Sequence, residues 1–100
     1  MLAWLNVGGG SKPAPVPPPV TFEELRELSL AMLDDCGGDA AIRLRLRLQL
    51  AREAKDLWVL RGEIYQCVAR RHCQSEAAAR INGLLPAFEG WVPAPVRVAV

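Results

Sequence analysis

The chain has 100 residues, 51% hydrophobic and 23% charged, with a formal net charge of +1. That length allows one domain with a modest core, and the near-neutral balance excludes a global pull toward nucleic acid or anionic lipid. Three cysteines form no paired framework, so Cys36, Cys67 and Cys73 read as reduced thiols of a cytoplasmic protein. No apolar run reaches the ~20 residues of a membrane span.

The charge is unevenly placed. Residues 1–38 carry two basic and five acidic groups, a net −3, and residues 39–100 carry ten basic and six acidic groups, a net +4. An acidic front against a basic remainder predicts internal charge complementarity, with two faces meant for two partners as the alternative.

Residues 1–20 read as a disordered Gly/Pro-rich segment. MLAWLNV is too short for a signal-peptide core. Gly8 to Gly10 are flexible, and the prolines at 13, 15 and 17–19 favour an extended spacer without backbone donors. A helical domain is expected over 21–90. Its first helix opens on a capping box of Thr21 and Glu24, with Val20 and Leu25 as a hydrophobic staple. Glu23 and Glu24 suit the positive end of the helix dipole. Phe22, Leu25, Leu28, Met32 and Leu33 form the expected buried stripe. Gly37 and Gly38 stop the helix, and Asp39 caps the next.

IRLRLRLQL, residues 42–50, alternates like a strand. It reads as helix, because leucine and arginine are helix formers and no turn signal separates it from the helical AREAKDL. At about 100° per residue its apolar residues fall on two stripes. One holds Ile42, Leu46, Leu50, Leu57, Leu60, Ile64 and Val68; the other holds Leu44, Leu48, Ala51, Trp58 and Ala69. The first stays in phase across Gly62, which predicts one long central helix reaching about residue 72. Ser75 is the expected cap of a third helix of about ten residues, starting at Glu76 and ending at Asn82-Gly83 or Pro86. Residues 91–100 read as an extended tail. Its alternating Val96, Val98 and Val100 fit a short edge strand that could pair with MLAWLNV or with another chain. The fold class is therefore all-α: a small three-helix bundle with a long central helix and extended or disordered termini.

Little in the chain supports chemistry. Zinc needs four converging ligands. Cys67, His72, Cys73 and Cys36 hold no CxxC, and adjacent His72 and Cys73 diverge by about 100° on a helix. The single histidine lies beside Cys73 in sequence with no orienting carboxylate evident, so a thiol nucleophile is not expected. Asp34 with Asp35, and Asp56 with Glu63, read as solvated helix surface. Gly8 to Gly10 precede prolines rather than a helix, so they form no phosphate loop. The expectation is no enzyme, no metal, no cofactor and no small-molecule substrate.

Residues 66–82 resemble the helix-turn-helix family of DNA-binding proteins at the level of a pattern, over less than a fifth of the chain. The resemblance implies a first helix crossing the DNA backbone and a second in the major groove. Ala69 would lie where the two helices touch, and Cys73 at the turn position that usually holds glycine. Ser75 would begin the recognition helix, with Glu76, Ala77 and Arg80 facing bases and Arg70 and Arg71 meeting phosphates.

The leading expectation is a non-enzymatic interaction or regulatory protein acting by protein–protein contact, as a homodimer or with another protein. A helix with two apolar stripes in so short a chain needs cover on both sides. The expected interface is the second stripe, Leu44, Leu48 and Trp58, flanked by Arg43, Arg45 and Arg47. The alternative is a helix-turn-helix DNA-binding transcriptional regulator using Arg70, Arg71, Ser75 and Arg80, with nucleic acid as its partner. No membrane partner is expected.

Overall fold

The Thr21 capping box opens the first helix as its spacing predicts. Glu24 N–H donates to Thr21 Oγ1 at 3.1 Å, and Thr21 N–H donates to Glu24 Oε1 at 2.8 Å. This is α1, Phe22–Ala31, in a computed structural model that describes residues 17–93. Leu25 and Leu33 are fully buried, and Phe22 and Met32 pack half-buried against them. Leu28 departs from the expected stripe and is exposed. Ser29 takes a core position instead, its hydroxyl donating to the Leu25 carbonyl at 2.9 Å, so no polar atom is left unpaired there. The helix ends before the two glycines. A turn over residues 32–35 carries the chain to Gly38, whose φ of 94° favours glycine. Gly38, not Asp39, is the N-cap of the next helix.

The long central helix is in fact three helices: α2 (Asp39–Leu50), α3 (Ala54–Val59) and α4 (Arg61–Arg71). The first break has a local cause. Asp56 Oδ2 accepts from the backbone N–H of Glu53 at 3.0 Å and of Arg52 at 3.1 Å, which satisfies donors at the start of a new helix. Ala51 and Glu53 are correspondingly extended. The junction at Leu60 is milder. Leu60 keeps helical angles and Ile64 N–H still reaches its carbonyl at 3.1 Å, so α4 begins almost where α3 stops.

The break at 51–53 decides which stripe faces inward. In α3 and α4 the first stripe is buried, at Leu57, Leu60, Ile64 and Val68. In α2 the second stripe is buried, at Leu44 and Leu48 with Ala41, and Ala51 follows them into the core. Ile42, Leu46 and Leu50 therefore point outward.

α5 runs Gln74–Phe88, longer than the ten residues expected, with Cys73 rather than Ser75 as its N-cap. It passes through Gly83, which costs about 1 kcal/mol relative to alanine, because Leu84, Leu85, Ala87 and Phe88 are all buried. Pro86 lies in the last turn. α4 and α5 form a helical hairpin with the most extensive helix–helix contact in the fold. α1 and α2 run antiparallel: Arg26 Nη1 near the start of α1 donates to the Leu48 and Gln49 carbonyls at 2.7 Å, and Arg45 donates to the carbonyl of Leu33. After α5, Trp91 closes the domain. Its indole N–H donates to the Val20 carbonyl at 3.0 Å, and its ring lies 6.3 Å from that of Phe22. The architecture is all-α, a small bundle of five helices among the described residues, none long and apolar enough to cross a membrane. The expected disorder of residues 1–16 and the strand pairing of residues 94–100 lie outside the described residues.

Candidate partner-binding face

On α2 the alternation of leucine and arginine becomes a helix with two apolar ridges about half a turn apart. Ala41, Leu44 and Leu48 fill the inner one. Ile42, Leu46 and Leu50, spaced i, i+4, i+8, form the outer one and are 63%, 54% and 68% exposed. Such a row is the unit by which one helix packs into the groove of another. Arg43 and Arg47 flank it on one side, Arg45 and Gln49 on the other. Arg47 Nη1 pairs with Glu63 Oε1 across to α4 at 2.6 Å, both half-exposed. Arg45 leans back to the Leu33 carbonyl. Arg43 is exposed and has no counter-charge among the described residues.

The predicted interface is thereby corrected. Leu44 and Leu48 are 2% and 0% exposed, committed to the core of their own chain. Trp58 is half-buried between two neighbours. Arg61 lies over its ring at 3.7 Å, and Phe88 meets it edge-on at 5.0 Å. Of the predicted set, Arg43, Arg45 and Arg47 do stand beside an apolar surface, but that surface is the other ridge.

Two members of the alternative set, Arg71 and Arg80, are engaged within the chain. His72 and Cys73 alone separate α4 from α5, shorter than the three or four residues of a helix-turn-helix turn. Cys73 is extended at φ −166°, not at a glycine-type turn position. Ala77 is fully buried. Arg80 turns inward, donating to Asp35 Oδ1 at 2.7 Å, Asp35 Oδ2 at 2.9 Å, Glu76 Oε2 at 2.7 Å and the Met32 carbonyl at 3.1 Å. Arg71 Nε donates to the Asp35 carbonyl at 3.1 Å. Only Arg70 and Ser75 keep exposed side chains free of that junction.

Asp35 is the centre of this junction, which ties the turn after α1 to the α4–α5 corner. His72 Nε2 lies 2.7 Å from Asp35 Oδ2, the same oxygen that accepts from Arg80 Nη2. The Arg80 guanidinium first, and His72 second, hold the Asp35 carboxyl well below the usual carboxylate range, against the smaller opposing effect of desolvation. Arg80 is in turn held more firmly protonated by Asp35 and Glu76. A depressed carboxylate contributes stability that is fully present above its unfolded value of about 4 and is lost as pH falls below it. Asp35→Asn should therefore flatten the acid limb of stability between about pH 4 and pH 2. Urea midpoints across that range measure this, and parallel acid limbs in the two proteins would contradict it.

The thiols sort by environment. Cys36 and Cys67 are buried; burial first, and the Asp35 charge second, push the Cys36 thiol up. Cys73 is exposed, and the backbone N–H of Glu76, followed by the Ser75 hydroxyl, pulls its thiol down. Iodoacetamide should label Cys73 first in the native protein, with Cys36 and Cys67 labelled only on unfolding; peptide mass spectrometry reads the order. Among the described residues no three His, Cys, Asp or Glu side chains gather as metal ligands. An open cleft of about 490 Å³ lies beside Phe22, Trp91, Arg52 and Lys55. No buried side-chain nitrogen or oxygen of the described residues lacks a hydrogen-bond partner. No protein family, curated protein or solved structure matches the chain.

Proposed function

We propose that the chain is a non-enzymatic interaction protein of the cytoplasm and that the outer face of α2 makes its contact. The supporting observation is the row of Ile42, Leu46 and Leu50, each more than half exposed on the side of α2 opposite the core. Single exposed leucines are ordinary on protein surfaces. Three aligned on one helical ridge form a patch of the kind that marks a contact site. Full burial of an aliphatic side chain is worth about 1.5–3 kcal/mol, so completing the burial of all three gives a partner several kcal/mol to draw on. The arginine flanks supply the polar rim that such contacts carry.

Site-specific photo-crosslinking in cells tests this. A photoreactive residue at position 46 should form a defined protein adduct, and one at exposed Lys55 should not. Absence of an adduct from 46, together with no self-association at high concentration, overturns the reading.

A further inference from the structure

We infer that the outer face of α2 takes an amphipathic helix whose apolar stripe is flanked by carboxylates, rather than a second copy of this chain. The inference rests on the reading of that face as the contact surface.

The charge layout separates the two occupants. Arg43 and Arg47 line one side of the ridge and Arg45 the other. α2 itself offers one carboxylate, Asp39, a turn before Arg43, and Glu63 is already engaged by Arg47. Two copies can bring their ridges together about a two-fold axis in two ways. If the helices run antiparallel, Arg43 and Arg47 of one copy lie alongside Arg47 and Arg43 of the other. If they run parallel, the same pair lies alongside Arg45. Either way guanidinium groups face guanidinium groups beside a surface that is losing its water, an arrangement that opposes association. A helix with glutamates or aspartates at its flanking positions offers counter-charges first to Arg43, and to Arg47, whose charge Glu63 already shares. Guanidinium forks suit carboxylates, and Arg43 is exposed and makes no ion pair among the described residues, Asp39 a turn away included. Its leucines or isoleucines at i, i+4 and i+8 would pack against Ile42, Leu46 and Leu50 in the ridge-into-groove manner.

The test uses the full chain and two fluorescent designed peptides. Both carry leucines at i, i+4 and i+8; one is flanked by glutamates, the other by lysines. Anisotropy should give the glutamate peptide about 10-fold tighter binding, from a few rim-exposed charge pairs. The preference should shrink as salt rises. Leu46→Glu should abolish binding of either peptide, and the double change Arg43→Glu with Arg47→Glu should reverse the preference, with circular dichroism confirming that both variants stay folded. Equal binding of the two peptides, lost in Leu46→Glu, overturns the acidic partner and leaves the contact face standing. So does a dimer, seen by sedimentation velocity, that Leu46→Glu dissociates. Failure of both peptides to bind overturns the acidic partner, and the crosslinking result at position 46 then decides the contact reading separately.

Discussion

Leu48→Ala should cost about 2–5 kcal/mol of folding stability, and Leu46→Ala, two residues away, about 0.5 kcal/mol or less. The two side chains are chemically identical and sit on the same helix. They differ in that Leu48 is 0% exposed in the core beneath α2, whereas Leu46 is 54% exposed on its outer ridge. Removing Leu48 forfeits its burial and leaves a cavity that α1, α2 and their neighbours fill only in part. Removing Leu46 takes away methyl groups already half in water. A small domain holds about 5–15 kcal/mol in total, so the first change lowers the melting temperature by roughly 10 °C or more and the second barely moves it. Thermal and urea melts of the two variants read this directly. One unbroken helix from 42 to 72, with the first stripe inward, requires the reverse ranking.

That contrast also marks where the sequence was legible. The Thr21-Glu24 spacing carries its meaning locally, and the structure forms both of its hydrogen bonds. The alternating segment reads as helix from the propensities of leucine and arginine alone, and its two apolar stripes exist. Which stripe faces the core is a matter of phase, and phase depends on whether the helix continues through Ala51, Arg52 and Glu53. The signal that it does not is present: Asp56, three residues after Glu53, is spaced to accept backbone donors at a helix start. It is quiet beside a run that otherwise favours helix throughout. An interruption of three residues is enough to re-aim everything after it, so α3 and α4 bury one stripe while α2 buries the other. The arginines of the candidate face, Arg43, Arg45 and Arg47, were therefore legible while the aliphatic ridge between them was not. The Asp35 junction is a different case. It joins residues 37 and 45 positions apart, and no local pattern carries a pairing of that range. It is also the place where the acidic front and the basic remainder of the chain meet, as the charge asymmetry had suggested.

The end of α5 provides the second large effect. Phe88→Ala should cost about 3–5 kcal/mol. Read from the sequence, Asn82-Gly83 or Pro86 ends the helix and Phe88 falls beyond it; at an exposed position there its truncation would cost about 0.5 kcal/mol or less. In the structure Phe88 is the last residue of α5 and 1% exposed, among the largest side chains in the core. Its ring meets Trp58 edge-on at 5.0 Å, and such a pair adds about 0.5–1.5 kcal/mol beyond the area it buries. The Phe88 carbonyl also accepts from the N–H groups of Trp91 at 2.9 Å and Val92 at 3.1 Å, so this residue holds the turn that brings Trp91 back to Val20. Tertiary burial of this kind outweighs the helix-breaking preferences of Gly83 and Pro86, because neither takes away a contact that Leu84, Leu85 and Phe88 make. Chemical denaturation measures the cost, and near-ultraviolet circular dichroism of Trp58 and Trp91 should change with it. A small cost with unchanged tryptophan signals would place the end of α5 at Gly83 after all.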